Sequence, residues 1–265
     1  MCTKITRLTT RFYKRLNSAV ISFIASVFMV MSPVSFAQAL SEIRANGEIN
    51  LCAHPEQMPF SRRAEKPEGF QIDIARAIAE KLDVSLNVSW IFSKRQAKKV
   101  GCDFYAGVAR LKEGDPKDLL ISDPYLRLDV ILLTLNQGIV INDIADLKPL
   151  VVGVSPGSIA SGALIQNHIS IAVRFPDEAS RLQALADGLI DAAVVTNVSA
   201  GWFQENQGKL QVFDAEKILH ADLNYDYALG LRKSDEDSRS EFNQILAGMK
   251  DDGSLSEILN RYGLK

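Results

Sequence analysis

Two stretches of this sequence alternate apolar strand-like runs with amphipathic helical runs in the same order, and that doubling restricts the chain to a few folds. In the first stretch INLCA (residues 49–53) is a short apolar strand. FQIDIARAIAEKL then sets Phe70, Ile74, Ile78 and Leu82 at four-residue intervals, with Asp73, Arg76 and Glu80 off that stripe, the pattern of an amphipathic helix. SLNVSW alternates, with Leu86, Val88 and Trp90 on one side, and DFYAGV supplies a third strand after a short basic stretch. The second stretch repeats the theme with LVVGVS (150–155), a helix starting near Ser158, ISIAVRF (169–175), a helix over SRLQALADGL (180–189) and the apolar strand AAVVT (192–196). Strands that alternate with helices in this way pair in parallel. Two such blocks predict two α/β lobes.

Extended passages at YLRLDVILLTLN (125–136) and NYDYALGLRK (224–233) are placed to cross between the lobes. After the second crossing come two helices. One carries Phe242, Ile245, Leu246 and Met249, the other Leu255, Ile258, Leu259 and Tyr262, with Gly253 and Gly263 as stops. They are expected to pack back on the first lobe, which gives lobe 1 as residues 40–128 plus 229–265 and lobe 2 as 129–228. The loops at the carboxyl ends of the strands then face a cleft. Its candidate residues are His54, Glu56 and Phe60 after the first strand, and Ala109, Arg110 and Asp115 after the third. From the second block come Gly157 and Ser158 at a helix start and Thr196 and Asn197 after AAVVT.

The first 39 residues are expected to be a secretory signal. Five basic residues (Lys4, Arg7, Arg11, Lys14, Arg15) precede an uncharged apolar run over residues 19–31, which is too short to span roughly 30 Å of hydrocarbon. Cleavage near Ala37 or Ala39 would release a periplasmic chain that is not embedded in the membrane. With five of the 30 bases removed, 25 basic residues face 32 acidic ones, a net charge of −7 that disfavours nucleic acid as a partner. Cys52 and Cys102 remain, and an even pair in an exported chain reads as one disulfide. The three histidines, His54, His168 and His220, have no close spacing to cysteine, so neither a metal nor another cofactor is expected.

GFQIDIARAIAEKL, LLISDPY, GLIDAAVVT and EFNQILAGMKDDGSLSEILNRYG resemble the bacterial periplasmic solute-binding proteins of the amino-acid-binding type, over nearly the whole chain after the signal. The resemblance implies a type II periplasmic-binding-protein fold, with Gln71 standing where the family favours an acid. In amino-acid-binding members an arginine seven residues before the serine of S-D-P-Y grips the ligand carboxylate, and an acid five residues past the D-A pair grips the ammonium. Here those positions are Asp115 and Thr196, so both handles for an α-amino acid read as missing. LCAHPEQMPFS, GCDFYAGV, DPYLRLDVILLT and SAGWF also resemble a subgroup associated with quinoprotein (methanol-type) alcohol dehydrogenases, whose cysteines match Cys52 and Cys102.

The resemblance implies three functions, in this order. The first is an accessory of a quinoprotein alcohol dehydrogenase system. The second is an ABC-transporter receptor for a small polar solute other than a standard α-amino acid, with a permease as partner. The third is a dehydratase on the same fold, for which only Asp115 and Glu56 offer a general acid. No G-x-S-x-G, phosphate loop or metal-ligand cluster is present, and catalysis is not expected. Each site candidate also has a plain structural role available: Phe60 as a core cap, His54 as a hydrogen-bonded loop residue, Ser158 as a helix N-cap and Asp115-Pro116 as turn chemistry.

Overall fold

Two five-stranded sheets organise the computed structural model, which describes residues 40–110, 118–135, 137–207, 209–232 and 234–264. Asp115 and the proposed signal lie outside those residues. The first sheet uses β1 (Glu48–Ala53), β4 (Ser85–Trp90), β5 (Phe104–Arg110), β6 (Leu120–Leu128) and β12 (Tyr225–Leu231), in the order β4-β1-β5-β12-β6. β1 pairs in parallel with both β4 and β5, whereas β12 runs antiparallel to β5 and β6. The second sheet has the order β11-β7-β10-β8-β9, from β7 (Val130–Thr134), β8 (Val151–Gly153), β9 (Ser170–Ala172), β10 (Ala192–Thr196) and β11 (Gln211–Asp214). A two-residue hairpin, β2 (Glu56–Gln57) with β3 (Ser61–Arg62), follows β1.

The helix over Phe70–Leu82 lies where the four-residue apolar stripe puts it, with Phe70, Ile74, Ile78 and Leu82 all buried. It is the second helix, α2, after a short α1 (Leu40–Asn46). Its start depends on Gly69, at φ 102°, because a Cβ there would lie 2.4 Å from the Phe60 carbonyl oxygen. The basic stretch before β5 is itself a helix, α3 (Lys94–Val100), which the chain's periodicity hides because among its described residues only Ala97 is buried. Gln96 Oε1 fixes its start by accepting the Phe92 and Ser93 amides at 2.6 and 3.1 Å.

The two C-terminal helices, α8 (Glu236–Asp251) and α9 (Ser254–Asn260), bury Phe242, Leu246, Met249, Leu255 and Ile258 in the same cluster as β1, α2 and β5. The Leu40 amide donates to Ser238 Oγ at 3.1 Å, which ties α1 to α8. Cys52 of β1 and Cys102, two residues before β5, form a disulfide with a Cα–Cα distance of 5.6 Å. The β1–β5 pairing brings them together. The second sheet has separate apolar clusters on its two sides, one around Leu132, Val152 and Ala192 and one around Leu133, Ala193 and Val195. Alternate residues of β7 and β10 thus face opposite clusters, as the strand period requires. Among the described residues no helix is long and apolar enough to cross a membrane.

The chain passes between the sheets at Asp129, between β6 and β7, and again before β12. Both passages are tied by asparagines. Asn197 Oδ1 accepts the Asp129 amide at 3.3 Å, and Asn224 Oδ1 accepts the Val130 amide at 2.6 Å.

Candidate functional site

At the carboxyl end of β10, Thr196 is 2 % exposed, and its amide and hydroxyl both donate to Glu178 Oε2, at 3.2 and 2.6 Å. Glu178 is the first residue of α5 (Glu178–Ala186), whose N-cap is Asp177. The Asp177 carboxylate accepts the Ser180 amide at 2.8 Å. A carboxylate at a helix start is favoured by the free amides and the dipole, and here it leans on the strand end next door. Among the described residues the other oxygen, Oε1, has a 4.0 Å ion pair with Arg181, itself 3 % exposed. Arg181 spends Nη1 on the Phe175 and Pro176 carbonyls, at 3.1 and 2.9 Å. Burial lowers the Arg181 pKa even though Glu178 and Asp177 oppose the change. The Glu178 side chain keeps 21 % of its surface and an oxygen with acceptor capacity to spare.

Three aromatic residues, two on β12 of the first sheet and one in the loop after β1, make a chain of ring contacts, and the two tyrosines feel this carboxylate's charge. Tyr225 and Tyr227 alternate on β12 and so share a face, with ring centroids 6.4 Å apart, and Phe60 meets Tyr227 edge-on at 6.1 Å. Burial raises the Tyr225 hydroxyl to about 12, and the Glu178 charge adds to the rise. Tyr227 is pushed up further by burial, with Tyr225 and Glu178 contributing. The field of Glu178 therefore reaches across from α5 to β12. Gln71 Nε2 donates to the Tyr227 hydroxyl at 2.7 Å, which gives the amide at that position a structural task. The Tyr227 ring lies over Gly107 of β5, where an added Cβ would approach it to 2.2 Å.

The sequence candidates divide in placement. Thr196 and Phe60 belong to this constellation, although Phe60, 6 % exposed, also packs on Phe70 at 5.2 Å. Ala109 pairs with Tyr227 in the sheet. Arg110 is drawn to Asp123 at 3.8 Å. Asn197 serves the interlobe crossing. Ser158 caps α4 (Ile159–Gln166) through the Ser161 amide at 3.1 Å, with Gly157 in the turn before it. His54 Nδ1 accepts the amide of the exposed Glu56 at 3.2 Å, and its ring meets Phe92 edge-on. Among the described residues no three His, Cys, Asp or Glu side chains converge as a metal site.

The strand end itself carries no acid at Thr196, and α5 brings the Glu178 carboxylate to it. Glu178 escapes notice when the helix is started at Ser180. The signal was present, since Asp177 three residues before Ser180 is an N-cap pattern that makes Glu178 the first helical residue.

Two α/β sheets joined by crossing strands, with an anionic group and aromatic rings between them, define a two-lobed binding protein of the type II periplasmic kind. Residues 49–265 match the family model of the bacterial extracellular solute-binding proteins, family 3, and the chain belongs to that family. It is 25 % identical over 244 residues to the L-cystine-binding protein TcyJ of Escherichia coli K12, covering 88 % of this chain and 89 % of that one. It is 23 % identical over 253 residues to the histidine-binding periplasmic protein of the same strain, covering 90 % and 95 %. Among solved structures, an ancestral cationic amino acid solute binding protein superposes with a TM-score of 0.70 at 23 % identity, over 84 % of this chain and 99 % of that one.

Proposed function

We propose that this chain is an exported receptor of the ABC-transport type that closes its lobes over a small solute bearing a protonated amine. The observation that carries the reading is Glu178, whose Oε2 is anchored by Thr196 while Oε1, among the described residues, keeps acceptor capacity, and whose charge reaches Tyr225 and Tyr227 of β12. A carboxylate whose charge is felt by two tyrosines of the facing strand suits an ammonium group, through a charge-assisted hydrogen bond. Relatives matched over most of the chain are an L-cystine-binding protein and a histidine-binding periplasmic protein, and one similar fold is a cationic amino acid solute binding protein. Those similarities support export to the periplasm, a permease partner and binding without catalysis.

We place the lobe boundaries at 128/129 and 224/225, the second moved from 228/229 because β12 belongs to the first sheet from Tyr225 onward. Among the described residues Arg110 pairs with Asp123 and Arg181 with backbone carbonyls, and we read the solute as an amine rather than a standard α-amino acid. The accessory role in alcohol oxidation rests on the resemblance of four patches, LCAHPEQMPFS, GCDFYAGV, DPYLRLDVILLT and SAGWF, and we place it second.

The test is a thermal-shift and calorimetric screen of amines and amino acids on the mature chain and on Glu178→Gln. A ligand at about 100 times its Kd adds ~2.7 kcal/mol, which for a chain of this size is a rise of several degrees at ~2 to 4 °C per kcal/mol. Amines should give that rise, and Glu178→Gln should abolish it, since losing one partner of a buried charge pair costs ~2 to 5 kcal/mol. Tight α-amino-acid binding that survives Glu178→Gln would defeat the reading.

A further inference from the structure

Tyr105 of β5 packs against the cluster of Cys52, Ala97 and Cys102, on the face of the first sheet that carries the disulfide and α3. A pocket of about 170 Å³ lies on that face, walled by Val108, Leu119 and the half-buried Tyr105 and also lined by Arg232, which follows β12. Lys98 and Asp118, each with 75 % of its side chain exposed, meet at 3.9 Å on its rim. Arg232 is fixed through Nη1 alone, which donates to the Ala97 and Cys102 carbonyls at 2.6 and 3.1 Å and lies 3.3 Å from Cys102 Sγ. The rest of its fork is unused: among the described residues Nε and Nη2 have no hydrogen-bond partner, and neither is sealed from solvent. The Tyr105 hydroxyl is equally open and unpaired among the described residues. Burial pushes that phenol up, with Arg232 pulling against the rise and Asp118 adding to it, so it stays a donor at neutral pH.

The open polar atoms here are a guanidinium, an ammonium and a phenol, all donors, and the single carboxylate, Asp118, is turned to Lys98. Such a set takes an acceptor, and the planar fork of an arginine matches a carboxylate. A cavity of about 150 Å³ accommodates a benzene-sized body, which leaves room behind the carboxylate for one compact apolar group. We infer that this pocket is a second ligand site, built by the first lobe alone, for a small carboxylate with a single apolar body. Arg232 pairs with the carboxylate, Tyr105 donates to it, Lys98 adds charge at the rim, and Val108 and Leu119 receive the apolar end. The site does not depend on Glu178, whose carboxylate and Thr196 anchor belong to the other lobe.

The probes are benzoate, acetate, benzyl alcohol and benzylamine, titrated calorimetrically into the full mature chain and its variants. Wild type should bind benzoate at least about tenfold more tightly than acetate, which lacks the apolar body, and than benzyl alcohol, which lacks the charge. Benzylamine, an amine for Glu178, should not displace it. Lys98→Ala should weaken benzoate about two- to fivefold and Asp118→Asn should strengthen it by a similar factor, the scale of an exposed ion pair. Both side chains are three-quarters exposed, so neither change threatens the fold. Tyr105→Phe keeps the ring and should weaken benzoate about tenfold, and Arg232→Gln should abolish binding in a chain whose melting curve shows it folded. Glu178→Gln should leave benzoate untouched while it removes amine binding, so the two readings fail separately. Benzoate that does not bind, benzoate held equally by wild type, Lys98→Ala, Asp118→Asn and Tyr105→Phe, or benzoate displaced by benzylamine would overturn the inference.

Discussion

A tyrosine beside a carboxylate reports on the site through its own ionisation. Tyr225 is held protonated up to about 12 by burial and by Glu178, against about 10 for an unperturbed phenol. A raised folded pKa means that the native state keeps a proton which the unfolded chain releases first. The stabilisation is whole below pH ~10 and is lost as pH rises toward ~12. Tyr125, Tyr227 and Tyr262 are shifted in the same direction, so the wild-type slope is shared and the informative quantity is a difference. Tyr225→Phe should lose less of its stability between pH 9.5 and 11.5 (approximate limits set by those two values) than wild type does, measured as urea midpoints. Equal losses would mean that Tyr225 is not desolvated as the geometry requires. Gly107 is the second telling residue. An Ala there must displace the Tyr227 ring from 2.2 Å, at an overpacking cost of ~1 to 3 kcal/mol, and the displaced ring should also weaken amine binding.

Elements were legible where one face of each is buried and illegible where a cap or a charge decides. Helix α2 repeats apolar residues every four positions, and all of them reach the core; β10 is uniformly buried. Both were readable because burial writes itself into sequence as period. In contrast α3 has a mostly solvated surface, and α5 begins two residues before its apolar pattern does. That shift of two residues concealed Glu178, because its role comes from an N-cap and not from hydrophobicity. The aromatic residues of β12 were readable in principle from the alternation in N-Y-D-Y, but what they face depends on the opposite sheet, and no local pattern encodes that. The caps themselves can be measured. Asp235 accepts the Ser238 amide at 2.8 Å at the start of the 16-residue α8. Asp235→Ala should cost about 1 kcal/mol, visible as a lower urea midpoint with an unchanged slope.

At the scale of the whole molecule the lobes touch through a contact between α6 (Asn197–Gln207) and the C-terminal segment. Val198 of α6 is buried in the cluster built on the first sheet, and Trp202 stacks beside Tyr262 with centroids 5.9 Å apart. Tyr262 is anchored from below, because its hydroxyl accepts the Gly69 amide at 3.1 Å and donates to Asp73 Oδ2 at 2.8 Å. Gly201 meets Gly263 backbone to backbone, so a Cβ on Gly201 would stand 2.6 Å from the Gly263 carbonyl oxygen. These residues belong to different lobes, and a contact that forms only on closure would act as a latch. Helix propensity alone would make Gly201→Ala stabilising by ~0.5 to 1 kcal/mol, which gives the test its sign. If the contact is a closure latch, Gly201→Ala should leave the unliganded melting temperature level or slightly higher. The same substitution should penalise the closed state by ~1 to 3 kcal/mol and so weaken solute binding roughly tenfold for each 1.4 kcal/mol. X-ray scattering of the variant should give a larger radius of gyration than wild type under saturating amine. Trp202 fluorescence, recorded in a Trp90→Phe background because the chain has 2 tryptophans, should lose its response to ligand. A variant that melts earlier yet binds with wild-type affinity would make the glycine pair a feature of the folded core and would remove the latch.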